Sequence, residues 1–327
     1  SILKSGRGKI KWVYDPFLNI SNKKINYKVT ENIEVIFSDK EVDAIFICTP
    51  NFKIPHLTIK SLENKKHVFS EKPPGFTSYD VKKIRISESI NKKVCMFGFN
   101  HRHHESIKII KSIINTKELG KILWMRGRYG KEVNQNYFDN WRADPNKSGA
   151  GILLDQGIHM LDLFIHLAGN FDVFHSLISN LYWKIPGIED NAFVLLKQSS
   201  SGLCASFHST MTQWRYLFAL EVFLEKGSLI LNGLKTSSGV YGEECLSIKR
   251  NNEFDQSLCK SKDESFTFPV DSSWDNEIEH FFNGIEYGSE IKMGNTTDAL
   301  NLMHHIDEIY ITGKRELKNA LDLNIEL

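Results

Sequence analysis

The run LLDQGIHMLD, residues 153–162, sets Asp155 and His159 four positions apart in an apolar stretch. A carboxylate and an imidazole at that spacing share one face of a helix. Three chemistries are open to such a pair. It could hold a metal ion, act as an acid/base pair, since imidazole titrates near neutral pH, or be two polar groups satisfied by local hydrogen bonds. Asp162 and His166 continue the same register and read as scaffold. A metal would need a third ligand, and neither His166, His208 nor the histidines of NHRHH (residues 100–104) stands at a recognisable ligand spacing. No metal is expected. Proton transfer from a substrate hydroxyl suits the pair better, with His159 as acceptor and Asp155 either orienting its ring or contacting a substrate hydroxyl.

Other candidates follow strand-like runs. SEKPP, residues 70–74, comes directly after KHVF. A lysine at such a tip, Lys72, with Glu71 beside it and Pro73 and Pro74 stiffening the turn, can hydrogen-bond a substrate oxygen as it becomes an alkoxide. The plain alternative is a solvated surface lysine. CTPNFKIPH, residues 48–56, leaves VDAIFI through Thr49, Pro50 and Asn51, at the carboxyl end of a strand, where open α/β sheets bind ligands. Asp15 ends KIKWVYD, where an acidic residue accepts the ribose hydroxyls of a dinucleotide. No basic residue immediately follows it to hold a 2′-phosphate, which favours NAD over NADP. NHRHH places Asn100 and Arg102 after another strand, although an exposed turn accounts for its histidines equally well. MTQW, residues 211–214, places Gln213 and Trp214 in a sheet where they could meet a sugar or a neighbouring subunit.

These residues need a scaffold, and the hydrophobic pattern supplies one. From Lys9 to about residue 100, short apolar runs (KIKWVYD, VDAIFICTP, KHVFSEKP, KVCMFGFN) alternate with amphipathic stretches of helical length. That is the pattern of βαβ units and a parallel sheet. A G-x-G-x-x-G turn should stand about 20 residues before an aspartate such as Asp15. Only fourteen residues precede it, and Gly6 and Gly8 follow no strand. The fold is therefore expected to lack its first strand and its phosphate-binding turn in this sequence. Beyond residue 100 a helix (SIKIIKSIINT) leads to alternating runs such as NAFVLLKQ, LCASFHSTM and FALEVFLE, which predict an antiparallel sheet with one open face. Two C-terminal helices follow, with Asp275 and Thr296 as expected N-caps. The expected architecture is α/β: a Rossmann-type domain over 1–100, and an α+β domain over 101–327 for substrate binding and oligomerisation, its last helices packing back on the first domain.

The bulk numbers agree with a two-domain, small-molecule protein. The 327 residues are 41% hydrophobic and 25% charged, enough for two cores. Forty-one Lys and Arg against forty Asp and Glu leave +1, which offers no attraction to nucleic acid or an anionic membrane. Cys48, Cys95, Cys204, Cys245 and Cys259 are odd in number and form no C-x-x-C pair, so they read as reduced thiols of a cytoplasmic protein. No eighteen-residue apolar window and no signal-peptide core is found, so no membrane span is expected.

TPN with a histidine five residues after Asn51, EKP after the next strand, the WR of Trp141 and Arg142, and SGAGILLDQGIHMLDLFIHLAG together resemble the glucose-fructose oxidoreductase/inositol dehydrogenase family (Gfo/Idh/MocA). The resemblance runs from about Lys9 to the C-terminus. It implies an N-terminal Rossmann domain, a C-terminal domain whose open sheet makes a homo-oligomer, bound NAD or NADP, and a sugar, nucleotide-sugar or cyclitol as substrate. It also implies that Lys72 matches the EKP lysine that meets substrate and nicotinamide ribose, and that Asp155 and His159 match the D-x-x-x-H catalytic pair. Asp15, Thr49, Pro50, Asn51, His56, Glu71, Asn100, Trp141 and Arg142 match positions lining the cofactor. For the substrate, Lys72, Asn100, Arg102, Asp155, His159 and Gln213 are the expected contacts. The function expected is hydride transfer between nicotinamide and a sugar or cyclitol CH-OH carbon. The alternatives are a non-catalytic cofactor- or sugar-binding regulator on the same fold and, third, a metal-dependent hydrolase.

Overall fold

The computed structural model describes residues 1–16, 26–251 and 263–322, with 314–322 described by backbone alone. A one-turn helix α1 (Ile2–Ser5) precedes strand β1 (Trp12–Tyr14), which pairs in parallel with β2 (Lys28–Thr30). Helix α2 (Glu34–Ser38) follows. Strands β3 (Ala44–Ile47), β4 (His67–Ser70) and β5 (Cys95–Phe97) then alternate with helices α3 (Ile54–Glu63) and α4 (Ser78–Asn91), and form a parallel sheet in the order β3-β4-β5. Val68, Phe69 and Ser70 of β4 and all of β5 are buried, as strands of a helix-covered parallel sheet must be. Thr77 and Asp80 form a capping box that starts α4.

Among the described residues β1 pairs only with β2, so the parallel strands fall into two separate sheets. In the usual dinucleotide-binding order the first strand lies between the positions held here by β1 and β3. The gap thus falls where the strand before the glycine-rich turn is expected. Strand β2 is an addition to the sequence reading: KVT has no apolar run, and it is a strand because it lies on the edge of β1, with the Lys28 ammonium 5.1 Å from the Trp12 ring centroid.

The second part begins with α5 (Glu105–Thr116). An eight-stranded sheet follows, built from β6 (Ile122–Gly130), β7 (Val173–Ser179), β8 (Asn191–Lys197), β9 (Cys204–Thr210), β10 (Leu217–Leu224), β11 (Gly227–Asn232), β12 (Glu244–Arg250) and β13 (Glu264–Phe268). Its order is β13-β12-β11-β10-β6-β9-β8-β7, antiparallel throughout except where β6 meets β9. Between β6 and β7 lie α6 (Pro145–Ser148), a π-helical turn (Leu153–Gly157) and α7 (Ile158–Ala168), which packs on the sheet's inner face. Gly127 has no room for a Cβ because Met160 of α7 lies against it. The outer face is open: along β8, Ala192, Val194 and Leu196 point inward while Phe193 and Leu195 are 51% and 59% exposed. Helices α8 (Ser273–Glu286) and α9 (Thr296–Asp322) return to the first sheet, where Phe281 meets the rings of Phe46 and Phe69, and Phe97 donates its N–H to Gly294 O at 2.7 Å.

The fold is therefore a Rossmann-type parallel unit joined to an α+β unit with an open, mostly antiparallel sheet. Two details differ from the sequence reading. MTQW lies in the loop between β9 and β10, outside the strands. The helix ends expected to be capped by Asp275 and Thr296 are capped just upstream: Asp271 Oδ1 accepts from Ser273 N at 3.0 Å, and Asn295 Oδ1 from Thr297 N and Asp298 N at 2.9 Å each.

Candidate functional site

The carboxyl ends of β3, β4 and β5 face the π-turn before α7. Past the tip of β4, Glu71 donates its N–H to Ile47 O, and the Lys72–Pro73 peptide is cis. The Lys72 ammonium crosses to the π-turn, where it donates to Asp155 O and lies 3.3 Å from Asp155 Oδ1. Lys131, just past β6, bonds the other carboxylate oxygen, Oδ2, and Arg142 Nε stands 3.6 Å from Oδ1. Arg142 in turn lies 4.3 Å over the Trp141 ring. Burial by itself would raise the Asp155 pKa, but Lys131, Lys72 and Arg142 outweigh it and hold the carboxyl well below its usual range. Burial lowers the pKa of Lys72, with Asp155 and Glu71 opposing.

One turn on, His159 is 6% exposed. Its Nδ1 is buried without a partner, and its ring lies face to face with His101, centroids 4.0 Å apart at 14°. Burial, then Lys72, push its pKa well below the ordinary value, with Asp155 opposing, so the imidazole is neutral. The site thus combines a permanent anion clamped by three cations with a neutral imidazole.

Two anchors hold the π-turn. Glu189, from the β7–β8 loop, accepts from Gly151 N at 2.8 Å on Oε2, and from Leu153 N at 2.9 Å and Tyr310 OH at 2.8 Å on Oε1. A Cβ on Gly151 would overlap the Glu189 backbone, which requires glycine there. From the Rossmann side, Asn51 Nδ2 donates to Ser148 O at 2.8 Å. π-turns are rare and recur at functional sites, because they displace one residue from the α-helical register.

The structure brings Lys72, Asp155, Arg142 and Trp141 together, sets His159 one turn away, and ties Asn51 to the segment before the π-turn. Glu71 lies half-buried beside Gly98, and desolvation raises its pKa. Asp15 is exposed directly after β1, and His56 is exposed in the first turn of α3. Three residues face elsewhere than expected. Arg102 is 3% exposed and held by both oxygens of Asp162 (2.8 and 2.6 Å) and by Asp298 (2.7 Å), so its guanidinium is a buried structural tie. Asn100 is turned toward His101 and Ser273. Gln213 packs where a Cβ of Gly130 would project, and its neighbours Tyr129 and Lys131 point to the opposite, inner side of β6. The histidines of NHRHH do not lie in an exposed turn, since His101, His103 and His104 are all buried.

Lys131, Glu189 and His101 were not singled out from sequence as parts of this site. Lys131 follows a strand as Lys72 does, and that signal could have found it; Glu189 stands in an unpatterned loop.

The same site region is covered by two family models. One described as "Oxidoreductase family, NAD-binding Rossmann fold" matches residues 6–99, and one described as "GFO/IDH/MocA C-terminal domain" matches residues 107–230. The chain belongs to the GFO/IDH/MocA family. Its first unit is that family's NAD-binding Rossmann domain. This member is 28% identical over 217 residues to the myo-inositol 2-dehydrogenase of Thermotoga maritima, covering 64% of this chain and 62% of the relative. It is 28% identical over 160 residues to the levoglucosan dehydrogenase of Pseudarthrobacter phenanthrenivorans, covering 46% and 39%. The chain spans about half the length of the curated relatives it matches. In three dimensions it resembles levoglucosan dehydrogenase in complex with NADH and levoglucosan, with a TM-score of 0.78 at 21% identity over 88% of this chain and 82% of the other. A 3-ketoreductase from Actinomadura kijaniata with NADP and TDP-benzene gives 0.73 at 16%, over 88% and 83%. Likeness at these identities speaks to the shared fold alone. No helix of the described residues is long and apolar enough to cross a membrane.

Proposed function

We propose that this GFO/IDH/MocA member is a nicotinamide-dependent oxidoreductase that interconverts a CH-OH and a keto carbon of a sugar, nucleotide-sugar or cyclitol. The observation that carries the reading is the convergence of Lys72 from the Rossmann unit on Asp155, one turn before a neutral His159. The described residues also suit the nicotinamide half of the cofactor: Thr49 Oγ1, at the carboxyl end of β3, is buried and has no hydrogen-bond partner. Thr49, Pro50, Asn51, Glu71, Lys72, Trp141 and Arg142 would line it, and Asp15 would take the adenosine ribose, favouring NAD.

Bound NAD supplies the hydride acceptor. The chain's own residues handle the proton. His159 Nδ1 is sealed, so Nε2 is the nitrogen that takes the hydroxyl proton. Lys72 donates a hydrogen bond to the same oxygen and stabilises the negative charge that develops on it. Asp155 is too acidic to be the base; it holds Lys72 and Lys131 in place. In the reverse direction His159 returns the proton to the alcohol oxygen. This placement supports a division of labour between a dinucleotide-binding unit (1–100) and a substrate unit (101–327), and the exposed Phe193 and Leu195 of β8 support its outer face as the surface for a homo-oligomer.

Nicotinamide fluorescence on binding, followed by turnover with a panel of sugars and cyclitols, tests the reading. Replacing His159 with Asn lowers kcat by about 10²–10⁴-fold if His159 is the base. Unchanged turnover refutes the assignment.

A further inference from the structure

Catalytic histidines are usually aimed by a hydrogen bond on the nitrogen that does not react. His159 has none: its Nδ1 is buried and unpartnered. What touches the ring is a second imidazole, His101, lying parallel at 4.0 Å and 14° and itself 5% exposed. Burial of His101 among the rings of His159, Tyr129 and Phe218 fixes its plane, and its hydrogen bonds fix its tautomer. The Asn100 amide nitrogen faces Ser273 Oγ at 3.4 Å, so Asn100 Oδ1 faces His101 and accepts from its Nδ1–H at 3.0 Å. With that proton on Nδ1, the Nε2 of the neutral ring accepts from the Tyr129 hydroxyl at 3.0 Å. Tyr129 also meets the edge of the stack, its ring 6.1 Å from that of His159. Burial and the nearby His159, His104 and Lys72 keep His101 uncharged. The result is a flat, neutral, immobilised surface under the proposed base.

We propose that His101 is a positioning residue: its ring face sets the plane of His159, and so the direction of Nε2, in place of the missing hydrogen bond. The inference rests on His159 acting as the base. A face-to-face neutral ring also suits the imidazolium formed once the proton is taken, because a cation is attracted to an aromatic face.

Two substitutions separate the ring face from the hydrogen bonds. His101→Phe keeps a flat ring and loses both bonds. His101→Gln keeps a donor and an acceptor and loses the aromatic face. The expected result is that H101F stays within about threefold of the parent kcat, while H101Q loses about 10²-fold at nearly constant KM, the cost of aiming a reacting group about 1 Å off. Thermal melting is followed for both. The reverse ranking, or no change in either, overturns the proposal. A readout free of turnover is the NMR shift of the His159 ring protons, displaced by the facing ring in the parent. The displacement is expected to persist in H101F and vanish in H101Q, and its absence from the parent also overturns the proposal. If instead H159N keeps full activity, the base assignment itself fails, whatever the shifts show of the stack.

Discussion

Replacing Glu189 with Gln tests whether the π-turn is held from outside. The carboxylate takes three donors on two oxygens: Gly151 N on Oε2, and Leu153 N and Tyr310 OH on Oε1. An amide has one oxygen. With its oxygen toward Leu153 and Tyr310 the amide loses the Gly151 bond and sets its NH₂ against that N–H; turned over, it keeps the Gly151 bond and loses the two on the other side, so at least one bond is lost and two donors are opposed. Hydrogen bonds to a charged group are worth about 1.5–3 kcal/mol each and neutral ones about 1 kcal/mol, so E189Q should lose about 2–4 kcal/mol. Urea unfolding with an unchanged slope and a lower midpoint measures this directly. Tyr310→Phe removes a single donor to the carboxylate and leaves both backbone bonds, so it should cost about 1.5–3 kcal/mol. The same change should be felt in the chemistry, because Asp155 lies two residues after Leu153 in the turn. A shift of about 1 Å there lowers kcat by about 10²-fold, more than it alters cofactor affinity. Stability within about 0.5 kcal/mol of the parent, together with unchanged turnover, refutes the claim that Glu189 anchors the site.

Lys131→Met leaves Asp155 with Lys72 and Arg142 alone, so the carboxylate is drawn toward Lys72 and competes with the substrate oxygen for its protons. We expect kcat/KM for the sugar to fall by about 10–10²-fold with nicotinamide binding unchanged, and steady-state kinetics beside fluorescence titration decides it; a value within twofold of the parent removes Lys131 from the site. Buried His103 and half-buried His166 make stability depend on pH. Burial, as the largest cause, lowers His103 and His166 from 6.5 to about 3. Below 6.5 the unfolded chain binds protons that the folded chain refuses, so stability is unaffected above that value and declines as pH falls through the window from 6.5 to about 3. Each such group contributes up to about 1.4 kcal/mol per pH unit. Urea midpoints at pH 7, 6 and 5 should decline, and His103→Asn or His166→Asn should flatten the slope; equal midpoints at the three values refute it.

The parallel strands that were legible were those with continuous apolar runs. KHVF is largely buried and VDAIFI partly so, and their apolar composition marks them as strands without knowledge of neighbours. Strand β2 was not legible: KVT is a strand only because Trp12–Tyr14 lies beside it, and pairing at an edge leaves little trace in periodicity. The π-turn was equally hidden. LLDQGIHMLD reads as uninterrupted α-helix, and its departure is set by Glu189 and Asn51, one far later in the chain and one far earlier.

The residues of the candidate site that local sequence points to share a property: each follows a signal that sequence carries, a strand tip for Lys72 and Thr49, an i, i+4 pair for Asp155 and His159. Those that were missed act through partners. Lys131 matters because its ammonium ends on Asp155, and His101 because its plane lies on His159; neither fact has a spacing. Arg102 shows the same limit from the other side. A charged residue after a strand looks like a ligand contact, yet two carboxylates, Asp162 on α7 and Asp298 on α9, were waiting to bind it. A buried guanidinium needs such partners, and only the fold reveals whether they exist. Whether an ionisable residue is chemistry or scaffold is thus decided by what else is close to it once the chain has folded. In this chain Asp155 and Asp162, seven residues apart, differ on that ground: one meets Lys72 from the first unit and Lys131 from its own, and the other is enclosed with Arg102 in the core.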